Sequence, residues 1–207
     1  MPATQTDPLE FDDIRLPFTR ISGDLGTIVA RWFSANESLP QVLDLYFAAS
    51  HSIELFPETR FLIYLQALET YHRFRYLNFE VDPEEHAKRL SVIISSGPEQ
   101  YRECMRDGLE YSNEPSHSQR LKESYHDLRF ILDDFVEDGK LFNFHVLKTR
   151  NHLTHSEENG MILEGNDLVQ ATARLRLMLE LCLLREIGVG ADQMKHPIAN
   201  NNLFTKI

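Results

Sequence analysis

The chain has 207 residues, 42% hydrophobic and 26% charged, a balance that suits a globular protein with a sizeable buried core. Its 32 acidic against 21 basic side chains leave a formal charge of -11, which excludes an indiscriminate polyanion coat, because nonspecific nucleic-acid affinity comes largely from Lys and Arg displacing counterions. No stretch approaches the ~18 uncharged apolar residues of a membrane span, residues 1–7 lack the basic and apolar regions of a leader, and Cys104 and Cys182 form no CxxC or other metal spacing; a cytoplasmic protein without metal or cofactor is expected.

Apolar residues recur at three- and four-residue spacing almost throughout, and no period-two run with hairpin turns interrupts them, so the predicted fold class is all-α. Residues 1–22 read as an extended arm broken by Pro8 and Pro17, with Phe11, Ile14, Leu16, Phe18 and Ile21 as apolar anchors. Asp24 is positioned to cap a short helix through about residue 35, and a second helix follows over about 40–53. A longer one begins at Pro57 and runs to about Tyr76, apolar enough through Phe61, Tyr64, Leu65, Leu68 and Tyr71 to be central. Asp82-Pro83-Glu84-Glu85 and Gly97-Pro98-Glu99 open two helices that read as a hairpin. Beyond a breaker at 113–116, Leu121, Tyr125, Leu128, Ile131 and Phe135 mark a helix over about 118–136. A turn at 137–139 leads into the next helix, which residues 156–160 end. A last long helix starts at Asn166-Asp167 and stops at Gly188. The expected organisation is an arm over 1–22, one helical domain over 23–195, and a loosely held tail over 196–207.

The penultimate helix carries the most informative stretch, Arg150-Asn151-His152-Leu153-Thr154-His155. Asn151 and His155 are four apart and share a helix face, while Arg150 must use its long side chain to reach the same point. Arg supplies a permanently charged, planar donor fork for a phosphoryl group, and His is the side chain that ordinarily titrates near neutrality. Charge stabilisation and proton transfer are thus both present, enough to cleave RNA without a metal. Asn151, an amide with no accessible pKa, is expected to orient His155 or the phosphate. The plainer account gives Arg150 an ion pair with Glu157 or Glu158 and makes His155 a helix cap.

Around this stretch, Lys148 and His152 are candidate substrate contacts within a locally basic segment. Arg73 lies in a second one, Tyr71-His72-Arg73-Phe74-Arg75-Tyr76, whose rings can stack on bases. Glu69 and His72, three apart on the central helix, are a candidate polar cluster beside the motif, or else a buried hydrogen-bonded pair. His145, His152 and His155 can share a face, but no carboxylate or Cys completes a ligand set, so no metal site is expected. Thr149 and Thr154 read as helix-surface hydroxyls.

An Arg followed directly by Asn and then by His at the end of an amphipathic helix, with a loop and a long Leu-rich helix beyond, resembles the HEPN superfamily of helical ribonuclease domains. The motif of that superfamily is Arg, usually a polar residue, then several residues and His, and Arg150, Asn151 and His155 match it. The segment from Leu121 to Gly188 carries the resemblance most clearly. The stretch from Pro57-Glu58-Thr59-Arg60-Phe61 to Ala67-Leu68-Glu69-Thr70-Tyr71-His72-Arg73 is similar to the HEPN region of ApeA-like antiphage proteins. The resemblance implies a HEPN-like helical bundle with additional N-terminal helices. It also implies a homodimer whose two motifs face each other across a cleft, RNA as partner with tRNA among the candidates, and cleavage to a 2′,3′-cyclic phosphate by Arg150, Asn151 and His155 without a cofactor, in antiphage defence or a toxin-like stress response. ApeA-like proteins usually place a β-rich domain ahead of this region, which makes the sequence read as a fragment or a short relative. The rival expectations are a non-catalytic HEPN module that binds RNA or a partner protein, and a purely structural helical assembly domain.

Overall fold

The computed structural model describes residues 21–155 and 161–194. Nearly all of the expected arm, the segment 156–160 expected to end the motif helix, and the expected tail lie outside these residues. Among the described residues the fold is all-α, with no strand. Eight α-helices run in order: α1 (Leu25–Ser38), α2 (Pro40–His51), α3 (Pro57–Arg75), α4 (Pro83–Ser96), α5 (Arg102–Gly108), α6 (His117–Leu132), α7 (Gly139–His155) and α8 (Gly165–Glu186). No described helix is long and apolar enough to cross a membrane.

Most helix starts follow from local chemistry. Pro40, Pro57 and Pro83 each sit at the first turn of a helix, where a missing N–H costs nothing and the fixed φ is already helical. The Asp82 carboxylate accepts from the backbone N–H groups of Glu84 and Glu85 at 3.0 and 3.2 Å, Ser116 Oγ from that of Gln119 at 3.2 Å, and Asp138 from those of Lys140 and Leu141 at 2.8 and 3.1 Å. Asp24 does precede α1, but its side chain makes no capping bond. Instead a 3-10 turn, Ser22–Asp24, leads directly into α1, so Ile21 and Ser22 are helical where an extended arm was expected. Gly188, at φ 86°, takes the left-handed conformation that closes the chain off beyond α8. Gly139 is required for another reason, since a Cβ there would lie 2.5 Å from the Tyr125 ring.

The expected centrality of α3 follows from burial on more than one face: Phe61, Tyr64, Leu65, Ala67, Leu68, Tyr71 and His72 are all shut away from solvent. It packs most extensively on α8 and α2, and also on α6. The α8 side chains Leu168, Leu175, Met178, Leu179 and Cys182 complete the core, each large apolar side chain contributing about 1.5–3 kcal/mol by leaving water. By contrast α4 and α5, which pack on each other as the expected hairpin, bury no residue at all. Helix α6 packs against both α3 and α7, the two helices that carry the residues singled out from the sequence.

Candidate functional site

One face of α7 is fixed by burial of Phe142, Asn143, Val146 and Thr149, a three- and four-residue pattern that leaves Lys148, Arg150 and Asn151 half-buried and His155 exposed at the helix end. Thr149 is thus not the surface hydroxyl expected from the sequence. Its Oγ1 donates to the carbonyl of His145 at 2.8 Å and accepts from the backbone N–H of Leu163 at 2.8 Å, tying the following segment to the helix. Thr154 is exposed, and its hydroxyl donates to the Arg150 carbonyl at 2.8 Å.

The Arg150 guanidinium gathers the motif. Nη1 donates to Asn151 Oδ1 at 3.3 Å and meets His155 Nε2 at 3.5 Å. The amide of Asn151 thus acts on the guanidinium, holding it toward the exposed end of α7. A third group, which the sequence did not single out, completes the cluster: Arg150 Nη2 lies 3.2 Å from Nε2 of His117, the first residue of α6. The other ring nitrogen of His117, Nδ1, is hydrogen-bonded to Glu69 Oε1 of α3. A guanidinium only donates, so His117 Nε2 accepts, and the proton of the neutral ring sits on Nδ1, donated to the carboxylate. The Glu69 carboxylate is nearly buried, while the His117 side chain is 44% exposed.

Glu69 and His72 therefore take different partners, and the pairing considered between them gives way to two contacts with α6. His72 Nε2 is 2.6 Å from Glu123 Oε2, and its Nδ1 is 3.3 Å from Arg120 Nη1. By the same reasoning this ring carries its proton on Nε2. Burial pushes the His72 pKa below its ordinary 6.5, against the opposing pull of Glu123. Arg120, 2% exposed, also donates to Asn78 and to Glu114 at 2.9 Å, and burial lowers its pKa too. Arg73, one of the candidate substrate contacts, is ion-paired with the same Glu114 at 2.8 Å and so belongs with this second network.

Lys148 lies 5.9 Å from the centre of the Phe144 ring, at the side of a groove of about 1350 Å³ between α6 and α7 that reaches Asn151. The groove mixes cations, Lys122, Arg129 and Lys140 besides Lys148, with the carboxylates of Glu123, Asp127, Asp133, Glu137 and Asp138. His152 is half-buried on the motif helix. His145 Nδ1 is 3.2 Å from the Met161 carbonyl. Among the described residues, no three His, Cys, Asp or Glu side chains are grouped to hold a metal ion. Glu157 and Glu158, offered as ion-pair partners for Arg150, lie outside the described residues.

Comparison with protein-family models matches residues 62–193 to the model described as Apea-like HEPN, a span that takes in α3 from its second turn, all of α6 and α7, and both histidine networks. Neither the curated proteins nor the solved structures yield a match.

Proposed function

The chain belongs to the Apea-like HEPN family, and from that premise we propose that it is a metal-independent endoribonuclease acting in antiphage defence or a toxin-like stress response. The observation that carries this reading is the meeting of Arg150, Asn151 and His155 at the exposed end of α7, within the matched span. A guanidinium there neutralises charge that builds on a phosphorane, and an adjacent imidazole moves a proton at neutral pH. Attack by the ribose 2′-hydroxyl on the adjacent phosphorus then gives a 2′,3′-cyclic phosphate and a free 5′-hydroxyl. Asn151 orients the guanidinium. Lys148, on the groove that opens toward Asn151, and His152 contact the RNA strand, for which tRNA is a candidate. Two protomers associate with their motifs facing across a cleft.

Purified protein is expected to degrade RNA in excess chelator, and Arg150→Ala or His155→Ala to abolish this while helical signal and mass in solution stay unchanged. Equal cleavage by wild type and both variants overturns the assignment. A strict monomer at micromolar concentration removes the shared cleft but not the chemistry. Wild-type protein that binds RNA without cleaving it favours the non-catalytic module instead, a reading that the five groove carboxylates also suit if the ligand is a basic protein surface.

A further inference from the structure

We infer that His117, held by Glu69, is the second proton-transfer group of this site: it serves as general base and His155 as general acid, with the phosphate bound between them on Arg150. This assignment rests on the ribonuclease reading and deepens it.

The two imidazoles approach different amino groups of one guanidinium, His117 at Nη2 and His155 at Nη1, each through Nε2. A phosphate seated on that fork would have one ring nitrogen on either side. Transesterification in line needs this arrangement, because the entering 2′-oxygen and the leaving 5′-oxygen lie on opposite sides of phosphorus. The roles divide by the carboxylate. Glu69 accepts from His117 Nδ1, which fixes the tautomer, leaves an unprotonated Nε2 that accepts from Arg150 at the site, and stabilises the positive charge that appears when that nitrogen takes a proton. The 2′-oxygen–phosphorus bond forms as the 2′-hydroxyl proton passes to His117 Nε2, which gives up its contact with Arg150 when the phosphate takes the guanidinium N–H. The phosphorus–5′-oxygen bond breaks as His155, which enters the step protonated and turned from Arg150 to the substrate, delivers its proton to the leaving oxygen. Proton, bond and charge thereby balance with no further reactant.

The charged surroundings fit this division. From α3 His117 faces Glu69, and from α7 it faces Arg150 with His155 beyond. On its own helix Arg120 lies one turn further on, turned inward to Glu114, Asn78 and His72, while Arg73 meets the same Glu114. A purely structural imidazole in this fold looks different: His72 is fully enclosed, whereas the His117 side chain is 44% exposed.

The test compares wild type, His117→Asn, His117→Ala, Glu69→Gln, Arg150→Ala and His155→Ala on a short single-stranded RNA in excess chelator, across pH 5 to 9. Asn at 117 retains an amide that can still donate to Glu69. His117→Asn is expected to slow cleavage about 10²–10⁴-fold, to flatten the acid-side fall of the wild-type profile, and to keep the wild-type melting temperature. Added imidazole should recover part of the rate in His117→Ala. Glu69→Gln, altering a positioning residue, should slow cleavage less and shift the acid-side limb. Wild-type cleavage by His117→Asn, with Arg150→Ala and His155→Ala inactive, overturns the base assignment and leaves the ribonuclease reading intact. A slowed variant that keeps the acid limb and ignores imidazole also overturns it, reducing His117 to a prop. No cleavage by wild type overturns both readings together.

Discussion

Helices α3 and α6 build two versions of one device, an imidazole between a carboxylate and a guanidinium, and the versions differ in access to solvent. In the first, His72 of α3 lies between Glu123 and Arg120 of α6 and is 0% exposed. In the second, His117 of α6 lies between Glu69 of α3 and Arg150 of α7 and is nearly half open. Each helix thus supplies a carboxylate to one device and an imidazole to the other. The chemistry of the groups is the same, so under the proposed function what separates a structural role from a reactive one is whether a nitrogen can be reached. The enclosed ring is also stacked on Tyr76, with centroids 4.4 Å apart, which covers one of its faces.

Exchanging the two losses gives the largest effects. His72→Asn takes one partner from the buried Arg120, which keeps Asn78 and Glu114, and from Glu123, which is 41% exposed; loss of the buried hydrogen-bonded ring costs about 1–3 kcal/mol, a fall of roughly 2–12 °C in melting temperature for a domain of this size. Cleavage per folded molecule should stay near wild type. His117→Asn should do the reverse, losing rate and keeping stability. Thermal melts and initial rates on the same preparations separate the two; a joint loss of stability and rate in both variants erases the contrast between enclosed and open devices.

Acid should stress the enclosed device next. Because burial lowers the folded-state pKa of His72, the unfolded chain binds the proton more readily, and stability rises with pH across the window between the two values. The contribution is therefore full above the ordinary value of 6.5 and drains away as pH falls from there through the folded value, at no more than about 1.4 kcal/mol per pH unit for one proton. Denaturant melts from pH 7.5 to 5 should show this slope in wild type and a shallower one in His72→Gln. Equal slopes assign the acid sensitivity to other groups.

The sequence made one device half legible and hid the other half. Proline at the first turn, capping carboxylates and the three-and-four apolar rhythm placed α2 to α8 within a few residues, and the four-residue spacing of Asn151 and His155, with a long Arg just before them, put the trio at one helix end. His117 stayed hidden because its partners come from elsewhere. It sits 33 residues from Arg150 and 48 from Glu69, at the start of a helix where a polar residue after a Ser cap is unremarkable. Spacing along one helix cannot report a contact made between helices. The same limit explains Glu69 and His72, whose three-residue spacing suggests a mutual pair although each is drawn across to α6, and Thr149, whose burial depends on the returning segment at Leu163.

A smaller effect tests how firmly the open device is held. Ser116 caps α6 through the Gln119 N–H and thereby sets the first-turn position of His117. Ser116→Ala should cost about 1 kcal/mol of stability and slow cleavage by less than His117→Asn does. A stability loss with no change in rate would show that Glu69 and Arg150 alone position the ring.

The smallest expected effect distinguishes two cations named from the sequence. Lys148 lines the α6–α7 groove, which extends to Asn151 of the motif, while Arg73 is ion-paired with Glu114 beside the enclosed device. In a His155→Ala background, where RNA stays intact, Lys148→Ala should lower RNA affinity and reduce the dependence of log affinity on log salt by about 0.7, the value for one single-strand phosphate contact. Arg73→Ala should change that slope less, because its guanidinium is paired with the Glu114 carboxylate, which it shares with Arg120. Titrations at several salt concentrations read both slopes. A change with Arg73→Ala and none with Lys148→Ala would move the strand away from Lys148 and Asn151 and toward the Arg73–Glu114 pair at the end of α3.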